Sequence, residues 1–141
     1  MSRSGYTEDD GDSYYPVWFW RQAVRRAIDG KRGQVFLREM IEALDAMPEK
    51  RLIAGELEYN GNVCALGAVC RKRGLDLRYS GSLGNANLAS FFNIACALVR
   101  EIEYMNDDWL GGVTPEQRWQ KMRAWAVKNL IQEEAGVNDA R

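Results

Sequence analysis

The chain has 141 residues, 46% of them hydrophobic and 28% charged, with a formal net charge of −1. That size and balance suit one globular domain with a packed core, and a total charge so near zero does not by itself announce a nucleic-acid binder. The sequence contains no histidine, which excludes Ser–His–Asp and Cys–His catalysis and most catalytic zinc sites.

Residues 1–15 are rich in Gly, Ser, Asp and Tyr and lack periodicity, so they read as an acidic, aromatic-containing tail carrying Glu8, Asp9, Asp10 and Asp12 against Arg3. A single helical domain is expected over 16–135. Pro16 suits the first turn of a helix, where its missing N–H is not needed. Trp20, Ala23, Val24, Ala27 and Ile28 recur at helical spacing, and Gly30 ends the run. A second helix is expected after Gly33, with the stripe Phe36, Leu37, Met40, Ile41 and Leu44, an Arg38–Glu42 pair at i,i+4, and Pro48 as its stop. Glu56 to Cys64, with Asn60-Gly61 at its centre, predicts a short hairpin, because Asn-Gly tolerates the positive φ angles of a type I′ turn.

Ala65 to Arg73 predicts a third helix, whose terminal Arg71-Lys72-Arg73 complements the exposed carbonyls of a helix end. Leu75 to Ala86 reads as a connection, with Gly81-Ser82-Leu83-Gly84 as a bend and not a phosphate loop. Asn87 is the expected cap of a long central helix with the stripe Leu88, Phe91, Phe92, Ala95, Leu98, Val99, Ile102 and Met105. Thr114-Pro115-Glu116-Gln117 is a capping box that starts a last helix through Trp119, Met122, Trp125, Ala126 and Leu130. The fold class that follows is mainly α (α+β). About five helices pack around a central one at about 87–105, with one short β-hairpin at about 55–65.

Cys64, Cys70 and Cys96 lack C-x-x-C spacing and a secretory leader, so they read as reduced thiols, with Cys64 packed at the hairpin–helix junction. No apolar run reaches the length of a membrane span, and the expected location is cytoplasmic. No cofactor motif and no zinc-ligand spacing is present. Carboxylates offer one route to a metal: Glu56 and Glu58 share a face if their segment is a strand, and Asp107 and Asp108 close the central helix. The plainer reading is that these acids face water and form a helix-ending turn.

Two stretches are candidate contact surfaces, each with a plainer reading: the basic run as a solvated face balanced by the acidic tail, and the aromatic run as packing within the chain. Arg21, Arg25, Arg26, Lys31 and Arg32 face only Asp29 in their neighbourhood, and guanidinium forks suit phosphate or an acidic partner. Tyr14, Tyr15, Trp18 and Phe19 belong to a run of five aromatics in seven residues. Adjacent helical positions sit about 100° apart, so one buried face cannot take Trp18, Phe19 and Trp20 together. Tyr and Trp are favoured interface anchors.

The stretches 32–40, 43–53, 63–69, 100–107 and 114–119 together resemble a group of small phage and prophage proteins of unknown function. The order C-x-L-G-A, then N-D, then T-P-E-x-R is similar to a wider group of small bacterial domains. The resemblance covers about Trp20 to Val127 and brings no catalytic assignment with it. It implies a phage accessory protein that acts by binding inside the bacterial host, occluding or sequestering a host component such as an antiviral effector. On that reading the partner is a host protein met through Tyr14, Tyr15, Trp18 and Phe19, with a homodimer as a further option. The alternative is a phosphate-ligand receptor, a nucleotide sponge or nucleic-acid binder that uses the arginines. A metal-dependent enzyme built on Glu56, Glu58, Asp107 and Asp108 is the third.

Overall fold

The computed structural model describes residues 17–77, 84–109 and 112–131. Six α-helices and a two-stranded antiparallel hairpin follow one another among them: α1 (Val17–Asp29), α2 (Lys31–Ala46), β1 (Glu58–Tyr59), β2 (Asn62–Val63), α3 (Ala65–Lys72), α4 (Asn85–Phe92), α5 (Cys96–Tyr104) and α6 (Pro115–Lys128). The expected mainly helical class with one hairpin is therefore the observed one. No helix among the described residues is long and apolar enough to cross a membrane.

α1 and α2 form a tight corner. Gly30 takes extended backbone angles (φ −70°, ψ 166°) and caps α2, which begins at Lys31 and not after Gly33. Gly33 lies inside α2 because the corner leaves no room for a side chain there: a Cβ would stand 2.0 Å from the Ala27 carbonyl oxygen. α2 then buries Phe36, Leu37, Met40 and Leu44 as its stripe requires, while Ile41 stays half-buried. The Glu42 carboxylate also lies 4.0 Å from Lys72 of α3. α3 itself is almost wholly buried from Ala65 to Cys70, packed on α2 and α5.

The predicted central helix is two helices. Asn93 adopts the left-handed conformation (φ 60°, ψ 47°) and closes α4, with its N–H bonding back to Ala89 and Ser90. Ala95 is extended and opens α5. Asn tolerates the left-handed region better than most residues, so the three-residue joint 93–95 costs little. Leu88 and Phe92 on α4 and Leu98, Val99 and Ile102 on α5 all reach one core across it. The exception is Phe91, expected in the stripe but 38% exposed. Asn87 lies inside α4, whose cap is Gly84. After α5 the chain widens into a π-helical turn, Met105–Trp109.

The last helix starts as the capping box predicts. The Thr114 hydroxyl accepts from the Gln117 N–H (3.1 Å), and the Gln117 side chain accepts from the Thr114 N–H (2.9 Å). At the hairpin, Asn60 and Gly61 both have positive φ (53° and 83°), and Glu58↔Val63 and Tyr59↔Asn62 pair across the turn. The strands are shorter than the sequence suggests, since β1 begins only at Glu58.

Candidate functional site

Two polar regions stand out, one buried and one exposed. The buried one centres on Asn106, which is 1% exposed in the π turn. Its Oδ1 accepts from the Ala65 N–H (3.2 Å) at the start of α3. Its Nδ2 donates to the Ile53 carbonyl (2.9 Å) and to Asp107 Oδ1 (2.7 Å). Asp107 Oδ1 also accepts from the Gly55 N–H (3.0 Å). The buried Arg118 of α6 donates to the Asn106 carbonyl, and the Leu52 N–H donates to the Pro115 carbonyl (3.0 Å). Beside them the Cys64 thiol caps α3 by accepting from the Gly67 N–H at 3.4 Å. The Asn106 amide thus ties together the 50–57 loop, α3 and the π turn, and its main-chain carbonyl adds α6 through Arg118.

This hub joins the separated pieces of the sequence pattern: Cys64 to Ala68, Asn106-Asp107, and Thr114 to Arg118. Their geometry is structural. Cys64 is fully buried, and each of these polar groups holds backbone that would otherwise be orphaned in the core. Cys70 is buried as well, and burial pushes its thiol up to about 12, the nearby Cys64 adding to the effect. Neither cysteine has the electropositive, accessible setting of a reactive thiolate.

The candidate metal carboxylates do not converge. Glu56 is exposed and outside the strand, so the alternation that would align it with Glu58 does not arise. Glu58 accepts from the Gly61 N–H, Asp107 serves the hub, and Asp108 is exposed. No group of three His, Cys, Asp or Glu side chains able to hold a metal occurs among the described residues. Glu103 is buried on α5, with the Asn85 amide 3.1 Å from both its oxygens when turned to donate.

The exposed region is the outer face of α1 and the start of α2, where Arg21, Arg25, Arg26, Lys31 and Arg32 are all exposed. Two of the five are engaged. Arg25 pairs with Asp29 (2.9 Å) and donates to the Asn129 side chain (3.1 Å), and Arg32 donates to Asn93 (3.2 Å). Arg21, Arg26 and Lys31 have no side-chain partner among the described residues. The corner beneath them is fixed by Gln34, 4% exposed. Its amide donates to the Ile28 and Asn129 carbonyls and its oxygen accepts from the Ile131 N–H. Of the aromatic candidates, Tyr14 and Tyr15 lie outside the described residues. Trp18 and Phe19 fall in the first turn of α1, and their side chains lie outside the description.

Comparison with protein-family models, curated proteins and solved structures returns no match.

The basic cluster at the end of α3 has a structural task. Arg73 makes a two-pronged bond to Glu39 of α2 (2.6 and 2.7 Å) and donates to the Phe91 carbonyl (2.7 Å). Its guanidinium lies 5.0 Å from the Phe91 ring centre and 5.4 Å from that of Phe92. The hydrogen-bonded guanidinium holds the Glu39 carboxyl below its ordinary range despite the opposing effect of burial. Arg71 caps the hairpin by donating to the Gly61 carbonyl (2.9 Å). Sequence reasoning passed over Gln34, Asn106 and Arg118, whose one local signal is a polar side chain standing in a buried stripe.

Proposed function

We infer that the chain is a binding protein that occupies a macromolecular partner through the outer face of α1 and the aromatic residues that lead into it. The observation that carries this is the contrast between the two polar regions. The buried polar side chains Gln34, Asn106 and Arg118 are bonded to backbone, whereas Arg21, Arg26 and Lys31 stand exposed without a side-chain partner among the described residues. Arg21 and Arg26 are five positions apart, so they leave the helix about 140° from one another. Such cations suit an acidic surface spread over several contacts and do not converge on one phosphate, which favours a protein partner over a nucleotide sponge. In the phage or prophage setting that the sequence resemblance suggests, the partner is a host protein, and its occlusion blunts a host defence.

The test is capture from bacterial lysate on the immobilised full chain, at low and at high salt, beside the triple variant Arg21→Glu, Arg26→Glu, Lys31→Glu. One host protein held by the wild type and lost from the triple variant supports the reading. Equal capture by both removes α1 from it. Retention of nucleic acid alone, released steeply by salt, transfers the face to polyanion binding.

A further inference from the structure

The Asn60-Gly61 turn sets an exposed carboxamide beside a glycine peptide nitrogen that carries no flanking side chain of its own. Asn60 and Gly61 are both exposed, and a Cβ built at Gly61 would meet nothing within 4 Å, so the turn has open space around its second residue. The Asn60 side chain has no hydrogen bond among the described residues. What does hold the turn is Glu58, whose Oε2 accepts from the Gly61 N–H at 2.8 Å, with Arg71 on the Gly61 carbonyl. We propose that Asn60 is a site of spontaneous succinimide-mediated deamidation and that Glu58 restrains it by occupying the Gly61 N–H.

The chemistry needs only water. A solvent base takes the Gly61 amide proton, and the nitrogen's electron pair attacks Asn60 Cγ, forming an N–C bond. The carboxamide C–N bond breaks, the departing nitrogen takes back a proton from the conjugate acid of that base, and ammonia leaves. Water then opens the cyclic imide at one carbonyl or the other, giving aspartate or isoaspartate. Glu58 opposes the first step twice. Its hydrogen bond must be surrendered before the proton leaves, and its negative charge disfavours a developing anion on the nitrogen. The left-handed Asn60 conformation (φ 53°) also ties the reacting pair to the closed hairpin. Isoaspartate adds a methylene to the main chain in a two-residue turn, which cannot keep Glu58 opposite Val63 and Tyr59 opposite Asn62.

The experiment incubates the full-length chain and its Glu58→Ala and Glu58→Gln variants in mildly alkaline buffer. Conversion at residue 60 is followed by digestion and mass spectrometry, with isoaspartyl and aspartyl peptides separated by elution. An ordinary intramolecular hydrogen bond is worth about two- to tenfold in an equilibrium, and this one is exposed to water, so Glu58→Ala should convert about three- to tenfold faster than wild type. Glu58→Gln, which keeps an acceptor without the charge, should fall between. Hydrogen exchange at the Cys64 amide, held by the Leu57 carbonyl (3.2 Å), checks that the hairpin persists. If it opens in Glu58→Ala, Glu58→Gln decides. Equal or slower conversion in the deciding variant, or none at Asn60 in any of the three chains, overturns the proposal.

Discussion

Replacing Gly67 with alanine should destabilise the protein even though alanine is the better helix former. In α3 the new Cβ would stand 2.1 Å from the Leu57 carbonyl oxygen and 3.0 Å from Val63 Cβ. The first distance is roughly 1.4 Å short of ordinary contact. The clash falls on backbone, so no side-chain rotation relieves it, and α3 must move off the hairpin. That movement also strains the bond from the Cys64 N–H to the same Leu57 carbonyl. Overpacking of this kind costs about 1–3 kcal/mol, and a weakened buried hydrogen bond about 1 kcal/mol. Helix propensity offsets about 1 kcal/mol of it. The expected net loss is about 2 kcal/mol, or roughly 8 °C in Tm for a domain of this size. Gly84→Ala is the matched control, since its cap position has φ −88° and nothing lies within 4 Å. It should stay within about 0.5 kcal/mol of wild type, because the poorer capping of alanine offsets its gain from a less flexible unfolded chain. Urea and thermal melts of both variants decide the matter. A Gly67→Ala protein as stable as wild type, or a Gly84→Ala protein that falls equally far, refutes the packing argument.

Three further outcomes follow from the geometry. Asn106→Ala strips three hydrogen bonds from the hub and leaves the Ala65 N–H and Ile53 carbonyl buried without it, so denaturant melts should show a loss of about 3 kcal/mol. Glu39 has a folded-state pKa below its unfolded value, so its pairing with Arg73 stabilises above the unfolded pKa and is lost as pH falls through the folded one. Glu39→Gln should therefore lower stability by about 1 kcal/mol at neutral pH, and melts repeated at acid pH should find the two proteins converging. Iodoacetamide should alkylate the exposed Cys96 in the native protein and reach the buried Cys64 and Cys70 only after unfolding, as peptide mass spectrometry would show.

The elements legible in the sequence are those fixed by neighbours a few residues away. The Phe36–Leu44 stripe, the Thr114 capping box and the Asn60-Gly61 turn each carry their whole signal within one or two turns of chain. The split between α4 and α5 was hidden for a physical reason: the joint 93–95 lets Leu88, Phe92, Leu98, Val99 and Ile102 meet the same core, so their spacing imitates one unbroken helix. The hub was hidden because Asn106 bonds to residues 41 and 53 positions away. Its trace is visible in hindsight. Asn106 continues the buried spacing of Val99 and Ile102, and Arg118 shares a four-residue spacing with the buried Met122 and Ala126. Polar residues at such positions mark internal bonding as readily as apolar ones mark packing. The basic run was legible as a surface. The Arg25–Asp29 pair is local, but the further bond from Arg25 to Asn129 and the bond from Arg32 to Asn93 were not legible, because those partners come from distant helices.

The reach of Asn106 also bears on how long the folded molecule persists. Its partners close long loops, and the entropy of those closures must be met before the contacts reward it. If such contacts form late in folding, Asn106→Ala should speed unfolding and leave refolding nearly unchanged in a chevron measurement; equal effects on both rates would refute this. On that expectation the Asn106 carboxamide, between three segments, acts as a latch on the native state's lifetime.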